Sequence, residues 1–277
     1  MTPPNCPRCG LPRRNLAIPL LTNYSLDFII CSNHHFQTTN LEELFFELLR
    51  VRPSRGHRYL AHHLDRYIDT LNLIPVYHSS GKALDVGSGA RAFLARLIRG
   101  LFGYDIKCID ISKNFYAPPL SYTRCNLDQD VMPFVDDSFI IITMTEVIEH
   151  LENPLNALRE INRVLKPGGK LIISTPNIGR FTNMIREVRG LEPRTHGLGE
   201  FQPSQVQQMV EYAGLSVQEI VFSNWSERKW MRLSFSQKSM ERVPMLTRLY
   251  QLPRYVAASA APSLSSYFFL LCTKSVG

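Results

Sequence analysis

From Gly81 onward, short apolar runs alternate with segments of helical spacing, and this alternation constrains the fold more than any other feature of the sequence. Strands that alternate with helices indicate a mostly parallel sheet covered by helices on both faces. In such sheets ligands bind at the carboxyl ends of the strands, so the residues there are the first candidates for a functional site. We predict strands at 83–86, 105–111, 122–127, 139–144, 171–174, 215–222 and 267–273, and helices at 92–101, 154–165 and 204–212.

The first predicted strand ends in a glycine turn, Asp85-Val86-Gly87-Ser88-Gly89, and a helix follows it. Gly87 and Gly89 let the backbone pass close to a ligand because no Cβ stands in the way. The helix that follows offers free backbone N–H groups. Asp85 can accept a hydrogen bond from an ammonium group. A turn of this kind is also common for purely structural reasons.

Two further acids follow the next two predicted strands. Asp110 lies 25 residues after Asp85, where a carboxylate can hold the hydroxyl groups of a ribose. Asp128 follows the third strand and could accept a hydrogen bond from an adenine amino group, a role that Asn126 could fill instead. The sequence does not decide between these two residues.

These features occur in one order along the chain, and the order resembles that of class I S-adenosylmethionine (SAM)-dependent methyltransferases. The closest pattern is that of the small-molecule enzymes of the type-11 kind. The resemblance covers about residues 80–223, and it is carried by the runs Asp85 to Gly89, Asp110, Met132 to Phe139 (MPFVDDSF), Glu146 to Leu151 (EVIEHL), Arg163 to Gly169 (RVLKPGG) and Ser174 to Asn177 (STPN). It departs from the pattern at Arg91, where a third glycine is common, and at Ile140, where an acid is common.

The resemblance implies an α/β Rossmann-like sheet of seven strands whose last strand is antiparallel. It also implies SAM as the methyl donor. By that resemblance Gly87 and Gly89 approach the methionine part of SAM, and Asp110 holds the ribose. The remaining contacts fall to Ile111 and Leu127 beside the adenine, Asp128 pairing with it, and Thr145 and Glu146 on the methionine side.

Methyl transfer from a sulfonium requires alignment of donor and nucleophile, and an acceptor O–H or N–H group also requires a base. The candidates lie after the fourth and fifth strands: His150, next to Glu149, and His196. Histidine titrates near neutrality and suits this role. His150 could instead only pack against its helix, and His196 could be a solvated loop residue.

About 40 residues separate the last two predicted strands, far more than a hairpin needs. Between 223 and 256 they include both tryptophans, Trp225 and Trp230, and seven Lys or Arg against two acids. We predict a helical insertion at 224–265 that covers the acceptor pocket. Its basic residues could also contact RNA or a membrane surface, or lie on a solvated face.

The N-terminal segment carries a Cys6-x-x-Cys9-Gly10 knuckle and, 21 residues later, Cys31. His34 and His35 follow directly, so three thiolates and one imidazole could form a closed tetrahedral zinc site of a structural kind. Residues 1–40 therefore resemble the zinc ribbons that precede some methyltransferase domains. One such group methylates guanine in ribosomal RNA.

The predicted organisation is a zinc-ribbon-like module at 1–40 and a methyltransferase domain at 41–277, with a helical lead-in at 41–80. The predicted function is methyl transfer from SAM to an oxygen or nitrogen of a small molecule, such as a sugar, polyketide or lipid-linked intermediate. RNA methylation is the alternative, which a net charge of +7 permits, and a non-catalytic binding protein is the third hypothesis. With no apolar leader in its first residues, the chain is expected in the cytoplasm.

Overall fold

The structure, a computed structural model, describes residues 5–21, 24–31, 36–38, 55–75, 81–195, 197–223 and 245–276. The chain forms two compact units, Met1–Arg124 and Cys125–Gly277. Several predicted features lie outside the described residues: the first part of the helical lead-in, residues 41–54, and His34, His35, His196, Trp225 and Trp230.

A seven-stranded sheet carries the fold, in the order β6-β5-β4-β7-β8-β10-β9. Strands β4, β5 and β6 run parallel, as do β7 and β8, whereas β10 is antiparallel to both of its neighbours. The predicted α/β Rossmann-like class with an antiparallel last strand is confirmed. The strands are β4 (Lys82–Val86), β5 (Asp105–Asp110), β6 (Ser121–Arg124), β7 (Phe139–Thr145), β8 (Leu165–Pro176), β9 (Leu215–Ser223) and β10 (Tyr267–Lys274).

Helices fall between these strands, as the alternation predicts. The helix after β7 begins where Asn153 caps it, because the Asn153 side chain accepts a hydrogen bond from the Asn156 N–H. The helices are α1 (Arg55–Leu73), α2 (Phe93–Phe102), α3 (Pro154–Val164), α4 (Phe181–Val188), α5 (Pro203–Tyr212) and α6 (Met245–Ala260).

Helix α3 is not closed by Gly168 and Gly169, which follow it in the sequence, because strand β8 begins directly after it. Strand β8 starts at Leu165, and its register against β7 shifts there, from Phe139 opposite Leu165 to Ile141 opposite Lys170. The Lys166–Gly169 segment therefore bulges from the strand, and its glycines allow the backbone to double back.

The first unit also contains a three-stranded antiparallel sheet of β1 (Arg13–Leu21), β2 (Tyr24–Cys31) and β3 (Phe36–Thr38). Its apolar residues alternate along the strands, and the side chains of Leu20, Leu26 and Phe28 are buried. The sheet packs on α2, where a Cβ added at Gly100 would lie 2.7 Å from Ile18 Cδ1. This N-terminal sheet thus shares its core with the helix that follows the glycine turn.

The described part of the predicted insertion holds α6 and a short 3₁₀ turn, Pro262–Leu264. The run that follows forms β10, in which Phe268, Phe269 and Leu270 are fully buried, so the final apolar run is a buried strand as predicted. In the described ranges, no helix is both long and apolar enough to cross a membrane.

Candidate functional site

The glycine turn, Gly87 to Gly89, directly follows β4 and has open space beside its backbone. Gly87 and Gly89 both have positive φ angles, 70° and 64°, which are unfavourable for residues that carry a Cβ. The N–H groups of Gly87 and Ser88 both donate to the carbonyl of Ile109 on β5, at 2.8 and 3.2 Å. A Cβ at Gly89 would meet nothing within 4 Å. The turn is therefore fixed by its hydrogen bonds to β5 and has open space next to Gly89.

Asp110 ends β5 beside this turn and fixes its shape. One carboxylate oxygen accepts a hydrogen bond from the Gly89 N–H at 2.9 Å, and the other accepts from the Ser112 N–H at 2.8 Å. Each oxygen keeps a second lone pair for a ligand hydroxyl. Ile111 follows directly and is 59% exposed, an apolar side chain left uncovered next to a carboxylate.

Asp85 lies at the base of the same turn and is only 2% exposed. It stands opposite Cys108 in the β4–β5 register. Burial and the charge of Asp85 together raise the pKa of the Cys108 thiol, which keeps this cysteine protonated and unreactive. Arg91, which replaces the third family glycine, is exposed. That replacement therefore places no side chain in the core.

In the second unit, the residues after β6 form a compact turn. The Asn126 side-chain oxygen accepts from the Asp128 N–H at 3.2 Å, and Asp128 Oδ1 accepts from the Asn153 N–H at 2.8 Å. Leu127, between them, is 7% exposed. Within the described residues, the second carboxylate oxygen of Asp128 accepts no hydrogen bond.

The end of β7 carries Thr145 and Glu146, both half-buried. Glu146 has a φ of 55°, unusual for a residue with a side chain. Two hydrogen bonds to Ser174 on β8 stabilise Glu146 in this conformation. The Ser174 carbonyl accepts from the Glu146 N–H at 2.9 Å, and the Ser174 hydroxyl donates to Glu146 Oε1 at 3.1 Å. Such a strained, over-determined backbone is typical of functional sites.

Of the two histidine candidates, the structure describes only His150. It ends a 3₁₀ turn, Ile148–His150, and is exposed. A Cβ at Gly197 would come within 2.8 Å of His150 Nδ1, so the Gly197 backbone lies directly against the imidazole. The neighbouring Glu149 is 2% exposed and accepts a hydrogen bond from the Thr175 hydroxyl at 3.0 Å. Its burial leaves His150 as the accessible member of the pair.

A cavity of about 830 Å³ opens at the carboxyl end of β8. It is bounded by α4, by the loop that follows α4, by α6 and by the start of β10. Pro176 and Tyr267, which pair across β8 and β10, form its base. The cavity lies on the side where the sequence predicted the acceptor pocket, and part of the predicted insertion lines it.

The polar side chains at this end of the unit were not predicted from the sequence. Asn177 donates to the carbonyls of Ser263 and Ser265 at 2.7 and 2.9 Å and thereby fixes the turn before β10. Asn183 is 1% exposed inside α4, and its amide holds both backbone groups of Arg194 at 3.1 Å. The helical spacing of Phe181, Met184 and Ile185 around Asn183 was the signal that the sequence offered for this segment.

Three cysteine sulfurs meet in the first unit. The β1–β2 register sets Cys31 opposite Arg13, which brings it back to the Cys6–Cys9 knuckle. The sulfurs of Cys6, Cys9 and Cys31 lie within 4.8 Å of one another, and the Cys9–Cys31 separation is 3.6 Å. Tetrahedral zinc with Zn–S bonds of ~2.3 Å requires sulfurs ~3.8 Å apart. The Cys9–Cys31 separation is close to that value.

The pKa of the Cys9 thiol lies above its usual value. The Leu11 backbone hydrogen bond lowers the pKa, but burial and the adjacent sulfurs of Cys6 and Cys31 together raise it further. The Cys9 thiol therefore keeps its proton unless a cation compensates the thiolate charge. The three sulfurs form a group that could hold a metal ion.

Comparison with known proteins places the chain among methyltransferases. Residues 56–220 match the family described as methyltransferase domain. The ubiquinone biosynthesis O-methyltransferase of Rickettsia bellii is 25% identical over 208 residues, which cover 69% of this chain and 82% of that protein.

Two solved structures share the fold. One chain, from a complex between the Haloferax volcanii Trm112 methyltransferase activator and a methyltransferase, has a TM-score of 0.57 and 17% identity, and the match covers 86% of this chain and 99% of that chain. The Haemonchus contortus phosphoethanolamine N-methyltransferase 2 in complex with S-adenosyl-L-methionine has a TM-score of 0.51 and 14% identity, with 96% of this chain and 69% of that chain covered.

Proposed function

Because this chain belongs to the methyltransferase domain family and is a SAM-dependent methyltransferase, we propose that it methylates an oxygen or nitrogen atom of a small-molecule acceptor. The observation that carries the proposal is the open glycine turn held by Asp110, with the exposed Ile111 beside it. The R. bellii relative, which bears the name of an O-methyltransferase, supports oxygen as the acceptor atom.

In the first unit, the proposed donor contacts are those that the family resemblance implies, and the geometry of the turn supports them. Gly87 and Gly89 pass against the methionine part of SAM, and Asp85 attracts its ammonium group. Asp110 accepts the ribose hydroxyls through its remaining lone pairs, because its carboxylate is already oriented by two backbone N–H groups. Ile111 covers one face of the adenine.

In the second unit, the family resemblance assigns Leu127 to the adenine and Asp128 to its amino group. The free second oxygen of Asp128 supports that assignment over Asn126, whose side-chain oxygen is already engaged. Thr145 and Glu146 are assigned to the methionine side, where the Ser174 contacts fix Glu146.

Transfer is an in-line displacement in which the S–CH₃ bond breaks as the bond to the acceptor forms. The acceptor proton passes to a base, and S-adenosylhomocysteine leaves. We assign the base to His150 or His196. The exposure of His150 supports the first, and Gly197, the residue after His196, lies against the His150 ring.

We also propose that Cys6, Cys9 and Cys31, together with His34 or His35, bind one zinc ion. Four protein ligands would close the coordination sphere, so the ion would stabilise the N-terminal sheet and take no part in methyl transfer. The matching sulfur separations support this proposal.

The test is methyl transfer from radiolabelled SAM to a panel of phenols, hydroxylated sugars, amines and, separately, transcribed ribosomal RNA. The proposal expects label in at least one small molecule and none in RNA. Label in RNA alone would overturn the small-molecule assignment in favour of the RNA alternative.

A further inference from the structure

The cavity at the carboxyl end of β8 is rich in positive charge. Its described lining includes five arginines, namely Arg180, Arg186, Arg189, Arg194 and Arg254, and no aspartate or glutamate. Guanidinium groups gathered without carboxylates repel one another, and a bound anion relieves that repulsion. This distribution sets the cavity apart from a mixed-charge protein surface.

One of the five arginines, Arg180, has a structural role. Arg180 is 7% exposed and forms a buried ion pair with Glu200. It also donates to the carbonyls of Asn177 and Arg194. Its charge is therefore compensated, and it serves to shape the cavity wall.

Three other arginines of the lining, Arg186, Arg189 and Arg194, have no carboxylate partner among the described residues. The Arg194 backbone is fixed by the buried Asn183, and Arg186 uses only its Nε–H, which donates to the Glu192 carbonyl at 2.7 Å. Arg189 and Arg194 are exposed. Within the described chain, no carboxylate lies within ion-pair distance of Arg186, Arg189 or Arg194. The terminal N–H groups of each guanidinium form a planar fork that is suited to binding phosphate oxygens.

The rest of the described lining combines apolar side chains with three small polar ones, and the cavity is of small-molecule size. Phe181, Ile185, Pro253 and Tyr267 line it alongside the arginines. Its volume of about 830 Å³ falls within the ~300–1,000 Å³ typical of ligand pockets. A concave site with apolar and cationic walls fits a compact amphiphilic anion better than the extended backbone of RNA.

We propose that this cavity binds a methyl acceptor that carries a phosphate or diphosphate ester on an apolar body. Arg186, Arg189 and Arg194 bind the phosphate oxygens, and Phe181 and Tyr267 contact the apolar part. The inference rests on the proposed function, since it names the class of acceptor. Several guanidiniums with no carboxylate partner among the described residues favour a multiply charged phosphate over a single carboxylate.

The test uses inorganic pyrophosphate as the probe in calorimetric titrations of the full chain. Wild type is compared with the double variant Arg189→Gln/Arg194→Gln. The matched control is Arg159→Gln, which removes an exposed arginine on α3, outside the cavity. We expect saturable binding to wild type, a loss of about tenfold or more in the double variant, and a change within about twofold in the control.

SAM titrations of the same three proteins separate this inference from the proposed function. We expect unchanged SAM affinity in all three, which also shows that the variants are folded. Absent pyrophosphate binding in a SAM-binding wild type, or equal pyrophosphate affinity in double variant and control, would overturn the anion site alone. Absent SAM binding would instead overturn the proposed function.

Two competitors identify the class of anion. A short RNA duplex and vesicles containing phosphatidylglycerol are each added against bound pyrophosphate. The proposal expects neither to displace it at matched phosphate concentration. Displacement by either one, sensitive to the arginine substitutions, would assign the surface to nucleic acid or to a membrane and contradict a small-molecule cavity.

Discussion

Replacing Gly89 by alanine should show whether SAM approaches the backbone of the glycine turn. The substitution affects both SAM affinity and folding stability, and the two effects can be measured separately. Gly89 has a φ of 64°, and a Cβ there would enter space free of protein atoms within 4 Å. The left-handed conformation costs alanine ~1–2 kcal/mol in stability. If the methionine part of SAM fills that space, the added methyl also clashes with the ligand, at ~1–3 kcal/mol of binding free energy.

Gly103 provides the matched control. It also lies in the first unit with a φ of 72°, its Cβ would likewise meet nothing within 4 Å, and it caps α2 rather than facing the proposed donor. Gly89→Ala and Gly103→Ala should therefore lower the free energy of unfolding by similar amounts. Only Gly89→Ala should weaken SAM binding, by roughly fivefold to 150-fold.

Thermal unfolding and calorimetric SAM titration of both variants provide the measurement. A similar small decrease in melting temperature, with SAM affinity lost only in Gly89→Ala, is the expected pattern. Equal SAM affinity in the two variants would refute the idea that SAM approaches the backbone at Gly89.

Three further substitutions test the packing, the metal and the charges of the fold. Gly100→Val should destabilise the protein by ~1–3 kcal/mol because its side chain would collide with Ile18 Cδ1; thermal unfolding measures this, and partial rescue by Ile18→Val should follow. Cys9→Ser should abolish an expected zinc content of about one per chain in metal analysis, and zinc retained at the wild-type level would exclude Cys9 as a ligand. The Arg163 hydrogen bond lowers the pKa of Glu160, so this pair should stabilise the fold above the ordinary carboxyl pKa and lose that contribution as the pH falls through the lowered value. Arg163→Gln should accordingly reduce the loss of stability in acid unfolding curves, and an unaltered pH dependence would show that the pair does not contribute.

The alternating sheet could be predicted because strands such as β4, β7 and β10 are largely buried and read as continuous apolar runs. The N-terminal strands were harder to see, although Leu16, Ile18 and Leu20 alternate with less apolar residues as a half-buried strand requires. The cysteine spacing in this segment predicted a metal site but no strands. Helix α4 was not predicted either, although Phe181, Met184, Ile185 and Val188 have the spacing of an amphipathic helix.

The donor side was accessible from sequence because its residues follow strands that are close in the chain. The arginine cavity was not, because it joins the segment after β8 to α6 and β10, which are far apart in sequence. Only tertiary packing shows that Arg194 and Arg254 line one cavity, and only the hydrogen bonds show that Arg180 is neutralised by Glu200. From the sequence alone, the paired Arg180 cannot be distinguished from the other four arginines of the cavity.

The most direct test of SAM binding at the glycine turn is a calorimetric titration of SAM into wild type, Asp110→Ala and Asp105→Ala. Asp105 is an exposed acid at the opposite end of the same strand, so its loss controls for net charge. We predict that Asp110→Ala loses ~1.5–3 kcal/mol of binding free energy, because the carboxylate no longer accepts the ribose hydroxyls or holds the Gly89 N–H. Asp105→Ala should bind SAM as wild type does. Equal affinity in all three proteins, or no binding to wild type, would contradict the account.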